Sequence, residues 1–175
     1  MAVQWCALML FLSSCGLYLS NSEIIYIPAA SPFIEFRNVE KRESELVWIK
    51  GDRGAVVGLF EFANTSSLIF EVLIGAFDNT KMYIKEFKRG NYVKKVETGN
   101  RLLRLDPGQF APFWIKWLDT SVYIRPGTVN NLGPQLQLTS EEDTVSVRYM
   151  AFRSGPHLPV QFMFDLSCRK VDITY

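Results

Sequence analysis

The chain has 175 residues, 21% of them charged and 14% aromatic, with 19 Lys and Arg against 18 Asp and Glu. A balance that even excludes a partner held by bulk positive charge, nucleic acid first among them. A chain of this size suits one domain with a proper core, and no low-complexity segment, linker or internal repeat interrupts it.

The first 22 residues carry no charged side chain. Trp5 to Phe11 is an apolar run, followed by the small residues Ser13, Ser14, Cys15 and Gly16. An apolar stretch before a small-residue site is the layout of a secretory signal peptide. Either Ser14-Cys15-Gly16 or Ser20-Asn21-Ser22 would serve the peptidase. The reading is therefore a signal over 1–22, a domain over 23–175, and a secreted product. The competing reading is an uncleaved membrane anchor, against which Gln4, Ser13, Ser14 and Gly16 argue by their polarity or size.

Beyond this segment the period is two. Runs rich in β-branched and aromatic residues occur at 33–37, 46–50, 55–62, 68–75, 82–88, 101–105, 112–118 and 121–125. Apolar and polar residues alternate at 136–139, 145–149 and 160–166, as in Val160, Phe162, Phe164 and Leu166. Turn chemistry separates the runs: Gly51-Asp52-Arg53-Gly54, Asp78-Asn79, Arg89-Gly90-Asn91, Thr98-Gly99-Asn100, Asp106-Pro107-Gly108 and Pro126-Gly127. About ten short strands at this spacing predict an all-β fold, an antiparallel sandwich of jelly-roll type. The one helical turn expected lies in the charged stretch 38–45.

Cysteine is sparse. Cys6 and Cys15 fall in the signal or at its edge, which leaves Cys168 as either a buried thiol or an interchain disulfide linking a homodimer. Asn64-Thr65-Ser66 is an N-glycosylation sequon placed between two strands.

The chemistry of the common enzymes is missing. His157 is the sole histidine, so a nitrogen- or sulfur-ligated metal site cannot be assembled from these residues. Neither a nucleophile elbow, nor a P-loop, nor a Gly-x-Gly-x-x-Gly turn occurs. Glu141-Glu142-Asp143 reads as a solvated turn. The densest aromatic segment is Phe113-Trp114-Ile115-Lys116-Trp117, where Trp114 and Lys116 share one face and the other three share its opposite. Lys116 marks the wetter face, so Trp114 is a candidate platform for a sugar or an apolar ligand, or else packs under a neighbour. The strands bearing Trp48 and Tyr83 offer similar surfaces.

Phe70-Glu71-Val72-Leu73-Ile74-Gly75, then Asn79-Thr80 and Ile84-Lys85, resemble the core of the farnesoic acid O-methyltransferase-like domain family. Phe113-Trp114-Ile115 is similar to that family's Phe-Trp-Ile signature, and Ile124 with Gly127 to the strand end that follows. Tyr149-Met150-Ala151-Phe152 and Val160-Gln161-Phe162 resemble its final strands, so the likeness runs over about 33–166. This chain departs from the family after Gly127, where Leu138-Thr139-Ser140-Glu141 replaces a Trp-x-Asp stretch, and it lacks a Trp near Gly155. The resemblance implies methyl transfer from S-adenosylmethionine to farnesoic acid. Strands without crossover helices argue against that mechanism, because such a donor is held in an α/β crevice.

Three readings follow. The first is a secreted, non-catalytic module, without metal or cofactor, that binds carbohydrate, a small apolar molecule or a protein surface near Trp114, Lys116 or Asn79. The second is the methyltransferase, with S-adenosylmethionine as cofactor. The third is an extracellular structural component cross-linked through Cys168.

Overall fold

The structure is a computed structural model, and it describes residues 5–11, 18–99, 104–127, 136–141, 145–156 and 158–165. Among the described residues, thirteen strands lie in two antiparallel sheets. The seven-stranded sheet runs, edge to edge, through β1 (Trp5–Phe11), β2 (Tyr18–Ile27), β13 (Val160–Asp165), β4 (Ser44–Lys50), β9 (Ala111–Leu118), β10 (Ser121–Pro126) and β11 (Leu136–Thr139). The six-stranded sheet runs through β3 (Ile34–Asn38), β12 (Tyr149–Ser154), β5 (Ala55–Phe60), β6 (Leu68–Gly75), β7 (Lys81–Lys88) and β8 (Asn91–Thr98). The sandwich predicted from alternation is the observed fold.

Alternation works as expected because successive strand residues face opposite sides of their sheet. Phe113, Ile115 and Trp117 from β9 face Val72, Ile74, Met82 and Ile84 from β6 and β7, with Phe152, Phe162 and Phe164 filling the space between. All but Trp117 are at most 1% exposed. Trp117 is 6% exposed, and its indole nitrogen donates to the Arg42 carbonyl at 2.9 Å.

The strand count exceeds the expected ten for identifiable reasons. β2 begins inside the uncharged N-terminal segment, where its partner β1 also lies; Ser22 and Glu23 pair with Asp165 and Phe164. β8, rich in Lys, Glu and Thr, is an edge strand with one wet face and lacks an apolar run. The strand expected at 101–105 is not observed over its described part: Leu105 is a loop residue whose side chain joins the core, 4% exposed, and 101–103 lie outside the described residues. The predicted helical turn at 38–45 shrinks to one loop, with Arg42 N–H donating to the Val39 carbonyl, before β4 starts at Ser44.

One glycine decides local packing. A Cβ on Gly58 would meet the Phe60 ring at 2.5 Å and the Phe33 ring at 2.7 Å. These rings, edge to face at 5.1 Å, together with Phe36, cover the outer side of β5. The half of the six-stranded sheet nearer β3 is thereby covered, whereas among the described residues these three rings do not extend over β6, β7 and β8.

Candidate functional site

The sequence candidates fall in three places. Trp114 and Lys116 lie on the outer face of the seven-stranded sheet, where Trp114 is flanked by Leu46 of β4 and Arg125 of β10. The Arg125 guanidinium sits 4.5 Å from the Trp114 ring centroid and the Lys116 ammonium 6.0 Å. Both cations are within cation–π reach of the ring. Trp48 stands on the same face, beside Pro112 and Met163.

Asn79 belongs to the β6–β7 connection, Ala76–Asn79, where Phe77, Asp78 and Asn79 have φ of 47°, 54° and 61°. A left-handed turn of three non-glycine residues is costly, and such strain persists only where surrounding bonds over-determine it. Those bonds are present. The Asn79 amide donates to the Leu105 carbonyl at 2.7 Å and accepts from the Leu105 N–H at 2.9 Å. Thr80 N–H donates to the Ala76 carbonyl at 2.9 Å, and Arg53 pairs with Asp78. Both polar ends of Asn79 are thus engaged by the backbone.

Asn64 is exposed at the start of a short 3-10 turn, Thr65–Ser67, and its Oδ1 accepts from Ser66 N, Ser67 N and Ser66 Oγ at 3.1, 3.1 and 2.7 Å. These bonds converge on the oxygen; a glycan would attach to the amide nitrogen on the other branch. Cys168, His157, Glu142 and Asp143 lie outside the described residues. Glu141 is exposed, 3.7 Å from Lys94.

The most organised surface is a different one. On the outer face of β6, β7 and β8, with Arg153 from β12, two carboxylates each bridge two cations. Glu71 receives Arg153 Nη2 at 2.6 Å and Lys85 Nζ at 3.5 Å. Glu97 receives Lys95 Nζ at 2.6 Å and Lys81 Nζ at 2.8 Å. Tyr83 lies between the two groups, directly opposite Glu97, with the Lys85 and Lys95 ammonium groups 4.8 and 5.5 Å from its ring centroid.

The placement follows from strand parity. Val72, Ile74, Met82 and Ile84 point into the core, so Glu71, Tyr83 and Lys85 point out. Val96 packs against the core from β8, which turns Lys95 and Glu97 outward. Only Glu71 is deeply covered, with its side chain 5% exposed, while the four cations remain 30–39% exposed. The hydrogen bonds from Lys81 and Lys95 hold the Glu97 carboxyl down to about 2, and the bond to Glu97 raises the Lys95 ammonium in turn. Four cations against two carboxylates leave the face net positive. Parity of the strands was visible in the sequence; that four strands would bring these six charges together was not, because β8 and the β12–β6 proximity have no local signature.

A family model described as farnesoic acid O-methyl transferase matches residues 21–167. No curated protein matches the chain in sequence. Among solved structures, sheep galectin-11 in complex with glycerol is similar at a TM-score of 0.53 and 15% identity, covering 76% of this chain and 99% of that one. Toad ovary galectin, in complex with N-acetylgalactose, gives 0.52 and 12%, covering 87% and 98%. The Caenorhabditis elegans galectin LEC-6 gives 0.52 and 8%, covering 79% and 94%. At such identities the likeness is one of fold.

Proposed function

This chain belongs to the farnesoic acid O-methyltransferase family, and from that premise we propose that it is a secreted, non-catalytic module that recognises carbohydrate on the outer face of β6, β7 and β8. The observation that carries the reading is the pair of bridged carboxylates on either side of Tyr83. Sugar recognition calls for a few placed polar groups beside an apolar surface. Side chains already fixed by one another lose little further freedom when a ligand arrives. Two of the galectins that share the fold are solved with glycerol and with N-acetylgalactose, which supports a sugar as the class of ligand.

The family name implies S-adenosylmethionine as a methyl donor, and the residues described here do not fit it. Such a donor occupies an enclosed crevice at the carboxyl ends of parallel strands. Every strand pairing among the described residues is antiparallel, and the space between the sheets is filled by Phe70, Phe113, Phe152 and Phe162. No step of the reading therefore passes through that cofactor.

A glycan array probed with the whole secreted chain tests the proposal. Binding to at least one glycan, lost in Tyr83→Ala and Arg153→Ala and kept in Trp114→Ala, is the expected result. A chain that binds no glycan, or that loses binding only in Trp114→Ala, retires it. Heat on titration of S-adenosylmethionine would instead favour the enzyme. Secretion itself is read from a mobility shift on enzymatic removal of an Asn64 glycan.

A further inference from the structure

Lys85 and Lys95 are directly opposite one another on β7 and β8. Like charges in that position destabilise a sheet. Here the repulsion is offset but not neutralised. Glu71 and Glu97 each spread one negative charge over two cations, and the Tyr83 ring lies within 4.8 and 5.5 Å of the two ammonium groups. Each bridged group keeps one surplus positive charge. Both lysines remain about one-third exposed, so they stay available to solvent and to a ligand.

We propose that the Lys85–Lys95 pair above Tyr83 is a subsite for an anionic substituent, a sulfate or a carboxylate, on the saccharide. The inference rests on the carbohydrate reading and specifies its ligand class. An oxyanion placed between the two ammonium groups accepts a charge-assisted bond from each and removes the repulsion that the empty face carries. Glu71 and Glu97 then position the lysines from either side, and Tyr83 holds them over one ring. A neutral sugar gains neither effect.

The test uses the whole chain and matched saccharides that differ only by a sulfate ester or a uronic carboxylate. Charge-assisted bonds of roughly 1.5–3 kcal/mol correspond to a preference on the order of 10-fold or more for the anionic member at low salt. That preference should shrink as salt rises. Lys95→Gln should bring the anionic form to the affinity of the neutral one, whereas Lys95→Arg should keep the preference. Melting temperature in the absence of ligand, unchanged within a degree or so, serves as the folding control for both exposed substitutions. Equal binding of neutral and anionic members overturns this inference and leaves the carbohydrate reading standing. Preference for the anion that persists in Lys95→Gln and Lys85→Gln overturns the placement of the subsite. Failure to bind any member of the series overturns the carbohydrate reading itself, and the subsite with it.

Discussion

Replacing Asn79 by alanine isolates the cost of the left-handed turn between β6 and β7. The amide both donates to and accepts from the Leu105 backbone, at 2.7 and 2.9 Å, and Leu105 plugs the core with 4% exposure. Truncation leaves one N–H and one carbonyl without partners in a part-buried place, at about 1–3 kcal/mol each. Alanine at φ 61° adds about 1 kcal/mol, because a Cβ without a short polar side chain disfavours that region. The sum is about 5 kcal/mol, which for a domain of this size lowers the melting temperature by roughly 10–20 °C. Asn79→Asp keeps the acceptor for the Leu105 N–H but sets a second carboxylate oxygen against the Leu105 carbonyl, so it should give at least half that loss. Urea denaturation with an unchanged slope reads both values as changes of stability. A loss below about 0.5 kcal/mol in Asn79→Ala would refute the clamp. Asn79 would then be available to a ligand.

Three further outcomes are expected. Gly58→Ala forces the Phe33 and Phe60 rings apart and should destabilise the fold by about 1–3 kcal/mol, measured by the same denaturation; an unchanged midpoint would mean that the aromatic cover is loose. Trp117→Phe leaves the Arg42 carbonyl without its indole donor and should cost about 1–3 kcal/mol, with Trp114→Phe as the comparison that costs less. The Glu97 carboxyl is held down to about 2 by Lys81 and Lys95, so its contribution is fully present above the ordinary carboxylate range and is lost as pH falls towards 2. Acid titration of stability in Glu97→Gln should lack that part of the decline, and an identical acid limb in both proteins would contradict it.

The sheet that builds the core was legible in the sequence wherever an apolar residue recurred at every second position. β6 is found at Leu68–Gly75 as the pattern places it, and β9 differs from the pattern by one residue at Ala111. Edge strands escaped for a physical reason. An edge strand such as β8 buries a single face and carries Lys94 and Lys95 against unwanted pairing, so its hydrophobic signal is thin. Leu105 misled for the opposite reason: an apolar residue that fills the core from a loop has the composition of a strand and none of its pairing. The site was legible only in fragments. Tyr83 was visible as an aromatic on a polar face, whereas its association with Glu71, Arg153 and Glu97 depends on register across strands up to 82 residues apart.

Low identity to structures of the same fold has its own consequence for where function resides. Between 8 and 15% identity suffices for a sandwich of this kind, because the inward positions ask only for apolar volume and tolerate exchange among Val, Ile, Leu and Phe. The outward positions of the strands that bear no aromatic cover are under no such demand. A sheet face spared from packing would by default be loosely polar, with scattered charges that gain little from one another. β6, β7 and β8 present instead a carboxylate with 5% exposure under two cations, a second carboxylate shared by two lysines, and a like-charged pair set directly opposite. The first of these costs desolvation, and the last costs repulsion. Neither is required to hold the sandwich together, since the core of Phe and Ile side chains lies on the other side of the same strands. Costly charge placement on the outer side of strands whose inner side carries Val72, Ile74, Met82 and Ile84 is a local departure from stability of the kind that supports the proposal of a binding surface there.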